Sequence, residues 1–301
     1  MIKVNLIYSI SFLITLLSFL ITTKTIPLSL YFGQKLNIFD RPSVRNKNCR
    51  NITRVGGISI VLGHFISLLV FIILKNSFWS SLIIDKHIII ISSISFFIFV
   101  LGLLDDIFQL SPFSRILFEF ILSGILWGSG LRIDNFQLLP FFSNFFENRI
   151  FILPDSISLI FTMLWITGVI NAINWIDGLD GLAAGISFII SLTLVAISLI
   201  YKNFDSAFYA ASLAGASLGF LKFNKKPAKI LMGDGGAYFI GFNLAAISLI
   251  ALRIPSNESV EINYLKFFLL GLILFHPIMD MINVIRIRLA KSRSPFFPDR
   301  S

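Results

Sequence analysis

An all-α polytopic membrane protein is the fold class this sequence predicts, and three observations carry it. Of 301 residues, 56% are hydrophobic and only 14% charged, with a mean hydropathy of +0.86. A soluble domain carries roughly a quarter charged residues, so such a chain cannot cover its own surface with polar groups. Apolar runs of about bilayer length recur from end to end, broken by short polar clusters. The net charge of +9 is spread unevenly over those clusters, which in an apolar chain reads first as membrane topology.

Nine spans are expected, each a helix because backbone polar groups in lipid must pair internally. The first, about 4–23, is as long as a bilayer is thick and lacks a small-residue cleavage site, so it is not read as a signal peptide. The second, 56–74, carries His64, expected to make a hydrogen bond inside the bundle. The third, 88–104, ends on Asp105-Asp106. The fourth, 116–131, holds Glu119, expected near the cytosolic end and paired with Arg115 one turn earlier. The fifth, 157–172, and seventh, 207–221, are short, and the sixth spans 182–201. The eighth, 237–252, follows a glycine-rich turn. The ninth, 265–285, contains His276-Pro277 and Asp280, read as a buried helix–helix contact near a proline kink. The long connections are 24–55 and 132–156, the second placed at the interface by Phe136, Phe141, Phe142, Phe145 and Phe146. The whole chain, 1–301, reads as one membrane domain. A single cysteine, Cys49, excludes an internal disulfide.

Loops after odd-numbered spans hold more than two thirds of the 25 basic residues. The positive-inside rule makes those loops cytosolic and puts the N-terminus outside. The acidic clusters follow the same parity: Asp105-Asp106 after the third span, Asn174, Asp177 and Asp180 after the fifth, Asp234 after the seventh. Arg293 to Arg300 follows the ninth. Four separate segments thus deliver charge to one membrane face, as an interfacial active site requires.

Each cluster has a functional and a plain reading. Adjacent carboxylates repel unless a cation or shared proton intervenes, so Asp105-Asp106 suggests Mg2+ or a proton acceptor, or only a charged helix end. Asn174, Asp177 and Asp180 are spaced three apart and offer the oxygen ligands hard cations take, with Gly178 and Gly181 allowing a turn. Asp234 lies among Gly233, Gly235 and Gly236, suited to a metal or phosphate, or to capping the eighth helix. The tail arginines could clamp a diphosphate or anchor the chain on the cytosolic side. Lys222, Lys225, Lys226 and Lys229 read as lipid anchors. Lipid headgroups are a simpler partner than nucleic acid for the basic loop 24–54, and no nucleic acid is expected.

Together these motifs resemble the family of polyprenyl-phosphate sugar-1-phosphate transferases, whose members include WecA, TagO and MraY. The pieces are Asp40-x-Pro42-x-x-Arg45, Arg54-x-Gly56-Gly57 and Gly102-x-x-Asp105-Asp106, the last followed by Ser111-Pro112 and Arg115. Next come Asn171-Ala-x-Asn174-x-x-Asp177-Gly-x-Asp180-Gly and Phe223-Asn224-x-x-Pro227-Ala228, leading to Met232-Gly233-Asp234. Arg293-Ser-Pro-Phe-x-x-Asp299-Arg300 closes the set and resembles the WecA/TagO branch.

The resemblance implies transfer of a HexNAc-1-phosphate, GlcNAc favoured, from a UDP-sugar to a polyprenyl (undecaprenyl) phosphate, releasing UMP. This would be the first membrane step of cell-envelope polysaccharide synthesis, in a bacterial inner membrane with the site facing the cytosol. It implies Mg2+, with Mn2+ as a substitute, and allows a homodimer. By the same resemblance Asp234 and Asn174 serve the metal, and Asp105, Asp106 and Asp177 are the catalytic carboxylates. Gly178, Leu179, Asp180 and Asn224 lie near the nucleotide, while Arg45, Arg115, Arg293, Asp299 and Arg300 bind substrate. Two departures stand out: Asn48 replaces a family histidine, and the sequence ends at Ser301, before a His-rich motif and further C-terminal helices. The competing readings are a transferase of the MraY type, a transporter and a non-catalytic membrane scaffold. A transporter predicts charge near the bilayer midplane rather than at span ends.

Overall fold

The computed structural model describes residues 2–40, 52–78, 86–137, 150–251, 271 and 274–291. Among the described residues there are nine helices: α1 (Ile2–Lys35), α2 (Gly57–Phe78), α3 (Lys86–Phe108), α4 (Pro112–Gly128), α5 (Asp155–Ile176), α6 (Leu182–Ile200), α7 (Phe204–Asn224), α8 (Gly233–Ala251) and α9 (Phe275–Ala290). Five are long and apolar enough to cross a bilayer: α1 over Leu6–Lys35, α3, α5, α6 and α8. α2 adds a shorter apolar stretch, Gly57–Ile73. α4 has only 17 residues, and α7 is rich in Ala, Ser and Gly, so each falls short as a free-standing apolar span. α7 is almost wholly buried, which small residues make possible.

α8 is the centre of the bundle, buried along its whole length except at Asp234 and packed against α2, α3, α5 and α6. α7 lies along α1. A Cβ on Gly215 or Gly219 would run into the backbone oxygens of Thr15 and Phe19, so this Gly-x-x-x-Gly pair brings the two helices into backbone contact. The buried His64 accepts or donates through Nδ1 to Ser212 Oγ at 2.8 Å and packs edge-on against Tyr209 and Phe239, a bundle contact as expected.

Three expectations are corrected. The connection after the first span does not begin at residue 24, because α1 continues to Lys35 through Pro27. Buried Ile26 and the Ser29–Ser59 hydroxyl pair, 2.5 Å apart, hold the extra turns against α2. At 1.5 Å per residue this helix is roughly 50 Å long, against an apolar layer of about 30 Å. Second, the connection 132–156 contains a short antiparallel hairpin, β1 (Asn135–Gln137) with β2 (Ile150–Ile152). Non-helical backbone still needs hydrogen-bond partners, and pairing supplies them. Phe141, Phe142, Phe145 and Phe146 lie outside the described residues. Third, His276 and Asp280 are exposed rather than buried between helices. The inward position on that turn belongs to Pro277, and α9 meets α5 further along, where the Arg288 guanidinium stacks 5.4 Å from the Trp175 ring. The expected start of the ninth span, residue 265, is outside the described residues.

Candidate active site

A non-helical segment after α1 builds one wall of the site. Thr53 bridges to Phe39, and its carbonyl accepts from Leu231 N at 2.9 Å. Gly56 N and Gly57 N then donate to the carbonyls of Leu231 and Met232, both at 2.9 Å. These bonds stitch the approach to α2 onto the approach to α8 and set Arg54 beside Asp234. α3 forms the opposite wall. A Cβ on Gly102 would come within 2.5 Å of the Asp234 carbonyl oxygen, so only glycine lets α3 touch the first turn of α8.

Asp106, at the end of α3, reaches across this contact. Its Oδ1 accepts from Asp234 N at 3.0 Å and its Oδ2 from Gly235 N at 3.1 Å. Helix N-termini leave such N–H groups without partners, so Asp106 caps α8 from another helix and complements its dipole. The Asp234 side chain takes a different partner: its Oδ1 accepts from Asn174 Nδ2 at 2.7 Å, from the last turn of α5. Arg54 lies between the two carboxylates, with Nε 3.8 Å from Asp106 Oδ1 and a terminal nitrogen 3.6 Å from Asp234 Oδ1. Asp177, the C-cap of α5, completes the group through its electrostatic coupling to Arg54, Asp234 and Asp106. Burial raises the Asp177 carboxyl well above the usual carboxylate range, and Asp234 and Asp106 add to the rise against the opposing pull of Arg54. Burial alone would lower the Arg54 pKa, but Asp234, Asp106 and Asp177 outweigh it and the guanidinium is held charged.

Asp105 has an environment of its own. Its Oδ2 accepts from Arg115 at 2.8 Å and from the Tyr238 hydroxyl at 2.8 Å, and its Oδ1 accepts from Leu110 N at 2.9 Å. Arg115 also donates to the Tyr238 hydroxyl at 3.0 Å. Asp105 is therefore enclosed in a bonded layer beneath the Arg54 group. Because Arg115 turns to Asp105, Glu119 is not its partner: the buried Glu119 Oε2 accepts from Asn171 Nδ2 at 2.8 Å.

The remaining expected residues divide by position. Asp180 Oδ2 accepts from Ala228 N at 3.0 Å, while Asn224 Oδ1 accepts from Gly181 N at 3.0 Å and its amide donates to the Ile230 carbonyl. Both side chains tie the α5–α6 turn to the α7–α8 connection. Gly178 and Leu179 are exposed at the apex of that turn. Arg45, Arg293, Asp299 and Arg300 lie outside the described residues. Arg54 and Tyr238 also belong to the site, Arg54 having been named only as part of the Arg54-x-Gly56-Gly57 motif with no role given, and Tyr238 not at all. The position of Arg54 before Gly56-Gly57 was the available signal, since paired glycines mark close backbone approach. Tyr238 carried none beyond standing one turn after Asp234.

The donors suit a hard divalent ion. Asp234 and Asp177 offer carboxylate oxygens, the Asn174 amide oxygen has no partner among the described residues, and two carboxylates, those of Asp106 and Asp234, lie 3.8 Å and 3.6 Å from the Arg54 guanidinium. Among the described residues no three acidic, His or Cys side chains converge as a ready-made metal cage. Mg2+ is commonly held by one or two carboxylates and completed by substrate phosphates.

Fold and site together define an integral membrane protein with an acidic cluster gathered at one end of its helix bundle. Residues 88–252 match the family described as glycosyl transferase family 4. The chain is 32% identical over 292 residues to a Bacillus subtilis (strain 168) protein named "probable undecaprenyl-phosphate N-acetylglucosaminyl 1-phosphate transferase", covering 97% of this chain and 75% of the relative. It is 30% identical over 288 residues to the phospho-N-acetylmuramoyl-pentapeptide-transferase of Caldicellulosiruptor bescii, covering 94% and 83%. Against the enzyme of that name from Caldanaerobacter subterraneus it is 31% identical over 230 residues, covering 73% and 67%. The chain belongs to glycosyl transferase family 4 and is a membrane phospho-sugar transferase.

Proposed function

We propose that the protein transfers a HexNAc-1-phosphate, with GlcNAc the favoured sugar, from a UDP-sugar to undecaprenyl phosphate on the cytosolic face of a bacterial inner membrane. A phosphate oxygen of the lipid attacks the sugar-bearing phosphorus of the UDP-sugar, the bond to the other phosphate breaks, and UMP leaves. One diphosphate linkage is made and one broken, so the reaction is close to thermoneutral and catalysis rests on alignment and charge dispersal. The nucleophile is already largely ionised, its second pKa being about 6, so no strong base is needed.

The observation that carries this reading is the gathering of Arg54, Asp106, the pair Asn174 and Asp177, and Asp234 from four stretches of chain far apart in sequence. Asp234, with Asn174 and Asp177 in support, would hold Mg2+. Bound there, the ion supplies charge neutralisation for two phosphates that otherwise repel each other. Asp106 keeps the α8 turn rigid, so that the Asp234 carboxylate stays in place, and Arg115 holds Asp105 oriented beneath it. The exposed turn at Gly178 and Leu179 offers a water-soluble nucleotide an approach, while the lipid tail remains in the bilayer.

Membranes containing the protein should release UMP from a UDP-HexNAc only when both polyprenyl phosphate and Mg2+ are present. UMP release that ignores the lipid would refute the mechanism. The similarity to pentapeptide transferases supports a second reading, in which UDP-MurNAc-pentapeptide is the donor. A panel of UDP-sugars separates the two by which donor is consumed.

A further inference from the structure

We propose that Arg54 is a resident counter-ion of the carboxylate cluster, one that competes with a divalent cation for Asp234 and then turns its charge to the substrate diphosphate. This rests on the transferase reading above and deepens it.

A comparison of two arginines in the same region shows why Arg54 differs from an ordinary structural arginine. Arg115 is bonded to Asp105 at 2.8 Å and to the Tyr238 hydroxyl at 3.0 Å, a fixed arrangement. Arg54 approaches Asp106 and Asp234 only to 3.8 Å and 3.6 Å, beyond hydrogen-bond length to either. Its side chain keeps 33% of its surface exposed, whereas that of Asp106 keeps 1%. Among the described residues the guanidinium is thus held to these two carboxylates by charge rather than by directed bonds, with Asp40 adding to the same pull, and a third of its surface remains open for it to move. The oxygen it faces on Asp234 is Oδ1, which Asn174 also holds, so the carboxylate stays oriented when the arginine leaves.

The backbone around Arg54 supports a pivoting side chain on a fixed base. Thr53, Gly56 and Gly57 are tied to Leu231 and Met232 by three 2.9 Å bonds, and Arg54 N donates to Ile38 O at 3.2 Å. Displacement therefore costs rotation of one flexible side chain and no refolding. A guanidinium and a divalent ion within a few ångströms of the same carboxylate repel each other strongly in a partly buried site. The departing arginine is a fork of donors suited to phosphate oxygens, so its charge is not lost but transferred.

The test uses the purified 301-residue protein without substrate. Mn2+ binding is followed by electron paramagnetic resonance in the wild type, Arg54→Gln and Arg54→Lys. Removing the charge should tighten Mn2+ binding by about tenfold, and Arg54→Lys should bind like wild type. In the UMP-release assay Arg54→Gln should also raise KM for the UDP-sugar by about tenfold, the loss of one charge-assisted contact. Unchanged or weaker Mn2+ binding in Arg54→Gln overturns the proposal, as does an unchanged KM. Because the Mn2+ measurement needs no turnover, a failed transferase assay with tighter ion binding would sink the assigned reaction while leaving the counter-ion competition standing.

Discussion

At the scale of single residues, neighbours in sequence do different work. Asp105 and Asp106 are consecutive, yet one is enclosed by Arg115, Tyr238 and Leu110 while the other caps α8 beside Arg54. Successive residues on a helix point about 100° apart, so an adjacent pair cannot face one partner. Asp234→Asn should lower UMP release by about a hundredfold or more, since metal charge stabilisation is worth several kcal/mol. Its melting temperature in detergent should stay near wild type, and retained turnover would remove Asp234 from the site. Tyr238→Phe removes a buried hydroxyl with two partners and should destabilise by about 1–3 kcal/mol, read by thermal unfolding in detergent. Asp177 makes a pH-dependent contribution. Its folded pKa is raised, so the folded state binds more protons than the unfolded one above the usual carboxylate range, and its charging there costs stability as pH rises. Asp177→Asn should therefore be more thermostable than wild type by a margin that grows with pH and shrinks on adding Mg2+. A margin independent of pH would contradict the assigned burial.

At the scale of elements, the site depends on how closely α3 and α8 approach. Hydropathy marks both as spans but says nothing of their separation. The contact is set by Gly102 against the backbone of Asp234 and Gly235. Gly102→Ala should cost about 1–3 kcal/mol by overpacking and should reduce turnover more than stability, because it shifts the turn that carries Asp234. A matched loss in both, compared by UMP release and melting temperature, would make the glycine a packing residue only. α1 carries a related lesson. Its first turns were evident as an apolar run, but its continuation to Lys35 was not, since Lys24 and Pro27 are local stop signals that packing against α2 overrides.

At the scale of the whole molecule, the expected alternation across a bilayer would put the connections after α1, α3, α5 and α7 at one end. The meeting of Arg54, Asp106, Asp177 and Asp234 has that parity. The expected cytosolic orientation can be checked with Cys49→Ser as background. A cysteine introduced as Leu179→Cys, in the exposed α5–α6 turn, should react with a membrane-impermeant thiol reagent only when the cytosolic side is accessible. One introduced as Ile152→Cys, at the exposed last residue of β2 near the opposite end of α5, should react from outside. The reverse pattern would invert the topology. The sequence alone determined that the chain lives in a membrane, where its apolar helices lie, and that its carboxylates gather at one end of the bundle. Hydropathy, charge bias and parity are properties of the chain read locally and counted. Only the tertiary structure decided which carboxylate meets which partner: Asp106 on the α8 amides, Asp105 under Tyr238, Arg54 between two aspartates. Those pairings depend on helix phase and on backbone approach at small residues, and neither quantity exists until the helices are packed.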